Sequence, residues 1–245
     1  MASLFHVLNI SKQDLMSRLI DMSSVSNNLA NINTIGFKAS RTNFQEFLEH
    51  YEKHGVKVGT TQVLMGQGMF KESDKPLDIA IDGAGFFAVR LPDGRTGYTR
   101  DGQFSLDAQR NIVHANGSRL IWSGQIPENF EEVRVENNGT ISYRVGDVWS
   151  TAGVIPLTRF PNPGGLNHLG NNIWVESPAS GAAQTGNPQT NNLGIIRPRV
   201  LEMSNVNAGD ELTHLMTLQR IFTLSLRSFQ QTDQMISQSI NMRKG

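Results

Sequence analysis

Apolar positions recur with a helical period at both ends of this chain, and with strand-like alternation between them. Near the N-terminus, Leu8, Leu15, Met22 and Leu29 form a seven-residue series, with Leu4 and Leu19 at intervening helical spacings. No Gly or Pro interrupts the run before Gly36, so the spacing predicts a helix over residues 3 to about 31. The second pattern is stronger. Leu212, Leu215, Phe222, Leu226, Phe229, Ile236 and Ile240 fill an alternating three-four series broken only at Gln219 and Asp233. Asn207 supplies a cap, Asp210 and Glu211 put negative charge in the first turn, and Arg243 and Lys244 close the far end. Sustained three-four spacing is a coiled-coil seam pattern.

Between the helices the pattern changes. The pairs Asp82-Gly83, Asp93-Gly94, Asp101-Gly102, Asn116-Gly117 and Asn138-Gly139 are the dipeptides that tight hairpin turns favour. Short β-type runs lie among them at 77–81, 86–91, 96–100, 103–106, 111–114, 119–122, 133–135 and 140–145, which predicts an antiparallel β domain. The Gly-, Asn-, Pro- and Ser-rich stretch 161–192 reads as long loops or irregular β-structure. The predicted class is α+β. Discontinuous terminal helices (1–31 plus 205–245) form a coiled-coil assembly domain, residues 32–75 a connector, and 76–204 an inserted antiparallel β domain. The connector reads as partly extended and partly helical, with Phe44, Phe47 and Leu48 as a small apolar cluster.

Each terminal helix carries more apolar residues than one seam can use. Val7, Ile10, Met16 and Ile20 lie off the first, and Met216, Leu218, Ile221 and Leu224 off the second. That excess fits packing against further copies of the chain; packing against its own β domain is the alternative.

Composition narrows the function classes. The 22 basic residues balance the 22 acidic ones, so no basic patch points to nucleic acid or an anionic membrane. With no cysteine, disulfides, thiol catalysis and Cys-based metal sites are excluded. Asn9, Ser11, Lys12, Gln13 and Asp14 interrupt any Sec-type apolar run, and no stretch reaches the ~20 apolar residues of a membrane span.

Residues 26–38 read S-N-N-L-A-N-I-N-T-I-G-F-K. With Asn27, Asn28 and Leu29 leading into Ala30, Asn31, Thr34, Gly36, Phe37 and Lys38, this run resembles the N-terminal signature of the flagellar rod and hook protein family, A-N-x-x-T-x-G-F-K. The block 76–87, continued by 98–104, resembles the start of that family's β domain, and Ser204, Asn205, Val206 and Asn207 precede the last helix as they do there. The length excludes the long hook members. Residues 31–47 and 59–70 look most like a distal-rod type, with a proximal-rod type as the alternative. The resemblance implies terminal helices forming the inner tube of a helical assembly, with the β domain outside. It implies a drive shaft that crosses the periplasm and transmits torque from motor to hook. It also implies export by the flagellar type III apparatus without a cleaved signal. The implied partners are copies of itself, other rod subunits, the hook protein and the bushing rings; no cofactor is implied. On physical grounds the Asn amides can bond backbone where the helix ends, Gly36 can take a positive φ, and Phe37 offers an apolar anchor.

Catalytic and ligand patterns are weak. His50 and His54 stand at i, i+4, but Glu52 is one position late for a zinc helix, so a solvated helix face is the better reading. Asp78, Asp82, Asp93, Asp101 and Asp107 are candidates for paired carboxylates, yet three of them sit in Asx-Gly turns. Gly83-Ala84-Gly85 lacks the third Gly of a dinucleotide fingerprint. Trp122, Trp149 and Trp174 are candidates for a ligand platform, with core or interface packing the commoner use. No catalytic, cofactor or metal residue is assigned. The competing readings are a secreted carbohydrate-binding module or enzyme on a helical stalk, and a cytosolic regulator or chaperone of flagellar export.

Overall fold

A computed structural model describes residues 2–49 and 53–242, with side chains described at 9–43 and 61–238. The chain divides into two compact units. One comprises Met1–Asn31, Ala39–Leu64 and Val206–Gly245; the other comprises Ile32–Lys38 and Met65–Asn205. The class is α+β, with two long helices and antiparallel sheets.

The helical unit holds α1 (Ala2–Ala30), β1 (Ser40–Glu49), β2 (Lys53–Val63) and α2 (Ala208–Met242). Both helices fall within a residue or two of the positions the apolar spacing predicts. α1 stops where the Asn31 N–H bonds back to the carbonyls of Asn27 and Asn28 at 3.1 Å, while the Asn31 amide reaches Asn27 O at 2.9 Å. α2 starts at a true cap: Asn207 Oδ1 accepts the Gly209 N–H at 3.0 Å, with Asp210 and Glu211 in the first turn. At ~1.5 Å per residue, α2 extends roughly 50 Å. Residues expected to be a partly helical connector instead form the β1–β2 hairpin, closed by Leu64 N–H to Ala39 O at 2.7 Å. The Val and Thr residues of V-K-V-G-T-T-Q-V supply the β-branching that favours this. His54 therefore lies in a strand, which corrects the helix-face reading. His50 and the side chains of Phe44, Phe47 and Leu48 lie outside the described residues.

In the β unit, one sheet runs in the order Asn167–Gly170, Ile173–Val175, Thr96–Thr99, Phe86–Arg90, Arg119–Leu120, Ile112–His114, Phe104–Leu106. Leu157–Arg159 also pairs with Phe86–Arg90, and Gln184–Gly186 with Leu157–Arg159. A second sheet runs Ser123–Gly124, Val148–Val154, Thr140–Val145, Glu132–Val135. Two ribbons complete the unit: Ile195–Pro198 on Ile79–Asp82, and Val200–Glu202 on Phe70–Glu72. The core gathers Ile79, Ile81, Phe87, Val89, Ile141, Ile155, Leu157 and Ile196, all nearly inaccessible. A smaller aromatic cluster packs Phe86, Tyr98, Phe160 and Trp174 edge-to-face, with centroids 4.8 to 6.0 Å apart.

Four of the five Asx-Gly pairs place their Gly at positive φ (82° to 108°), as tight turns require. Asp101-Gly102 departs from that expectation. Gly102 is needed because a Cβ there would overlap the Ile79 carbonyl oxygen, while its own carbonyl accepts the Ile79 N–H at 3.1 Å. Asp101 faces His114, with Oδ2 3.0 Å from Nε2. Burial pushes the His114 pKa down, but the Asp101 carboxylate and the Asn116 contact together outweigh it and raise the pKa above 6.5. A raised histidine pKa contributes stability fully below about pH 6.5 and loses it as pH rises through the folded-state value. The gap in unfolding free energy between the parent and His114→Phe is therefore expected to be larger at pH 5.5 than at pH 8.5. Denaturant titration at the two pH values measures it, and a flat or inverted gap would refute the charged pair.

Candidate functional site: helix faces and a buried charge cluster

The helices of the helical unit run antiparallel, because Asn28 meets Glu211, Asp21 meets His214 and Asp14 meets Ser225. Their shared face is polar on the α1 side. Ser17, Asp21, Val25 and Asn28 are the buried positions there, and three of the four are polar. The Asn28 amide donates to Ser40 O and Glu211 Oε1, both at 2.8 Å, and its oxygen accepts the Ser40 N–H at 3.0 Å. Ser225 Oγ donates to Asp14 Oδ2 at 2.8 Å, and Asp21 Oδ2 lies 3.6 Å from His214 Nε2.

Val25 and Leu218 are buried with them, but several other apolar side chains point outward. On α1, Met16 is 56% exposed, Leu19 47% and Ile20 44%. On α2, Leu224 is 63% exposed, Met216 59% and Met235 53%, with Leu212 and Leu226 also exposed. Of the residues expected at an assembly interface, Leu15, Met22, Leu29, Leu215, Phe222, Phe229 and Ile236 are half-buried, while Leu19, Leu212 and Leu226 face outward. The side chains of Leu4, Leu8 and Ile240 lie outside the described residues. The partly or fully buried line of α2 is Glu211, Leu215, Leu218, Phe222, Ser225, Phe229, Thr232, Ile236. It keeps the three-four spacing but takes its second register from 211, 218, 225 and 232. Glu211 and Ser225 occupy it because α1 offers them Asn28 and Asp14.

The family signature leads into a second feature, within the β unit. Asn27 accepts the Asn31 amide at 2.8 Å; Leu29, Thr34 and Phe37 are half-buried, and Ala30 is exposed. Gly36 adopts φ 67° and donates its N–H to Glu202 O at 2.7 Å. A Cβ there would lie 2.5 Å from Asp101 N and 2.7 Å from Asp101 Cα, backbone atoms that cannot step aside. Gly36→Val is thus expected to cost at least the ~1–3 kcal/mol of a strained backbone; an unchanged melting temperature would dismiss the steric account.

Two residues later, the fully buried Lys38 ammonium meets the fully buried Glu202 carboxylate at 2.5 Å. Glu202 Oε1 also accepts the Gly68 N–H at 2.9 Å, and Oε2 lies 3.4 Å from Arg100 Nη1. The cations do further work: Lys38 donates to Gly66 O at 2.7 Å, and Arg100 to Gly83 O at 2.8 Å and Ile81 O at 3.3 Å. Burial pushes the pKa of Lys38 and of Arg100 down, and Glu202 opposes it in both. Asn205 also donates to Gly66 O, at 3.0 Å. Lys38, Gly66 and Asn205 each lie within two residues of a point where the chain passes from one unit to the other. The cluster therefore gathers three strand roots. Sequence reasoning held Lys38 only as part of the signature and Arg100 only within the 98–104 block, and it missed Glu202. The available signal was a lone acid in the short β-type run V-L-E.

This is an α+β structural scaffold with a charge-locked β unit and helices that are apolar outward. Residues 80–143 match the family described as flagellar hook protein FlgE/F/G D1 domain, and 197–242 match flagellar basal body rod FlgEFG protein C-terminal. The chain is 35% identical to the flagellar basal-body rod protein FlgG of Buchnera aphidicola from Acyrthosiphon pisum, covering 93% of this chain and 95% of the relative. It is 31% identical to FlgG of Caulobacter vibrioides (96% and 98% covered) and 30% identical to FlgG of Bacillus subtilis (90% and 92%). The chain belongs to the FlgG family of flagellar basal-body rod proteins. No helix among the described residues is long and apolar enough to cross a membrane.

Proposed function

We propose that this chain is a structural subunit of the flagellar rod that polymerises through the outward faces of α1 and α2 and performs no catalysis. One observation carries the reading: α1 buries Ser17, Asp21 and Asn28 within the subunit, while the helix pair exposes Met16, Leu19, Ile20, Met216, Leu224 and Met235. An apolar surface of that kind is finished only when other subunits cover it. At about 100° per residue, Leu212, Met216 and Leu226 fall on one flank of the α2 seam, and Leu224 and Met235 on the other. Neighbours on both flanks suit a tube of helices in a coiled-coil core. Such a tube acts as a shaft that carries torque to the hook. The distal-rod assignment rests on relatives named FlgG matching over nine-tenths of the chain. Family membership supports the remaining proposed partners: other rod subunits, hook protein, bushing rings and the type III export apparatus. The test is electron microscopy of basal bodies from a flagellated strain whose own rod gene is replaced by this one. Complete rods are expected; basal bodies that stop short of the rod would reject the assignment.

A further inference from the structure

The solvent face of one sheet in the β unit carries a row of side chains that its strands set in line. Glu132 stands opposite Arg144, and Arg144 opposite Trp149, across three neighbouring strands. Arg134, two residues beyond Glu132, shares that face, while Val133 and Val135 turn into the core. The row is braced. Arg144 Nη2 lies 3.3 Å from Glu132 Oε2 and 3.9 Å from Glu131 Oε2, and its guanidinium carbon sits 6.0 Å from the Trp149 ring centroid. Trp149 still leaves 45% of its surface open.

Glu132, Arg134 and Trp149 line a groove of about 400 Å³, within the size range of small-ligand sites. Pro76, Pro198 and Arg199 belong to the same lining. Arg199 has a left-handed backbone, φ 57°, between Ile195–Pro198 and Val200–Glu202, and its carbonyl accepts the Ser73 N–H at 2.8 Å. Arg134 and Arg199 enter no ion pair among the described residues, whereas Arg144 is engaged by Glu132. The charge left unanswered in the groove is thus two guanidiniums beside one aromatic face.

We infer that this groove binds a saccharide carrying a carboxylate, with a sugar ring on Trp149 and the carboxylate held by Arg134 and Arg199. The C–H face of a sugar ring is apolar and packs flat on an indole. Guanidiniums take carboxylates in paired hydrogen bonds. Glu132 offers an acceptor to a ring hydroxyl and repels a chain of phosphates, which disfavours nucleotides. The lining prolines have no N–H to pair with a peptide backbone, which disfavours a bound strand. The site adds a binding activity to the structural role proposed above.

Titration of the monomeric full-length chain tests this against saccharides bearing uronate, sialate or lactyl-ether carboxylates, each beside its neutral methyl ester. At least one acid is expected to bind at millimolar concentration or below, about tenfold or more tighter than its ester. Added salt should weaken that binding. Trp149→Ala, Arg134→Gln and Arg199→Gln should each lower the affinity several-fold with the circular dichroism unchanged, because all three side chains are exposed. Three results would overturn the site: no acid bound at millimolar concentration, equal binding of acid and ester, or binding that survives all three substitutions. A preference for ATP or for a polyglutamate peptide over every saccharide would overturn it too. Each of these outcomes leaves the rod assignment standing, since electron microscopy reads rod formation separately.

Discussion

Glu202→Ala is expected to destabilise the β unit by about 3–5 kcal/mol, the scale for removing one partner of a buried ion pair. For a domain of this size that lowers Tm by roughly 10 °C or more. The deletion leaves the buried ammonium of Lys38 and guanidinium of Arg100 facing each other with no anion between them. It also strips the Gly68 N–H of its acceptor. Lys38→Met should cost less, because Glu202 keeps Arg100 and Gly68, although Gly66 O loses a donor. Replacing all three charges by apolar groups is not expected to rescue the fold, as it does for some buried pairs. Here Asn205 and Gln67 still reach Gly66 O and Ile81 O, but Gly83 O loses its Arg100 donor and the Gly68 N–H loses its acceptor. Denaturant unfolding of the three variants gives the ranking. If Glu202→Ala lost under 1 kcal/mol, the cluster would be an ornament of the β unit and not its lock.

The parts of this molecule that were legible in the sequence are those fixed by local chemistry. Asx-Gly turns and β-branched runs located eight strands to within about two residues, because a hairpin turn needs a positive φ that few dipeptides supply. The strand Val148–Val154 escaped notice because its exposed face and its Ser, Thr and Gly carry no alternation. The connector misled because strand and helix signals overlap in F-Q-E-F-L, and pairing with 53–63 decides the matter from a distance. The helix faces misled more instructively. Apolar spacing marks where a helix buries its surface in the end, not within which subunit. Leu212 and Leu226 fit a seam by periodicity yet lie outside the intrachain one, whose second register is held by Glu211 and Ser225 through hydrogen bonds to Asn28 and Asp14. Glu202 was hidden for a related reason: an ion pair spanning Lys38 to Glu202 has no local pattern.

That distinction between intrachain and interchain burial yields the second large effect. Leu224→Asp is expected to abolish rod formation while leaving the monomer folded. Leu224 is 63% exposed in the subunit, so an aspartate there costs the isolated chain little. In a polymer the same position forfeits roughly 1.5–3 kcal/mol of apolar burial. It also puts an unpaired carboxylate into the contact, at a cost of several kcal/mol. At 1.4 kcal/mol per tenfold, the critical concentration should rise by at least about 100-fold. Met216→Asp, on the other flank of α2, should behave alike if neighbours cover both sides. Leu218→Asp is the contrast. Leu218 is 2% exposed within the subunit, so its loss should unpair the helices of the monomer as well. Circular dichroism and sedimentation of the monomers, set beside rod counts by electron microscopy, separate these cases. Normal rods from Leu224→Asp would mean that the outward apolar face is not where subunits meet. Full rods from Met216→Asp alone would confine the α2 contact to the Leu224 side and leave the exposed Met16, Leu19 and Ile20 of α1 as the surface that meets it.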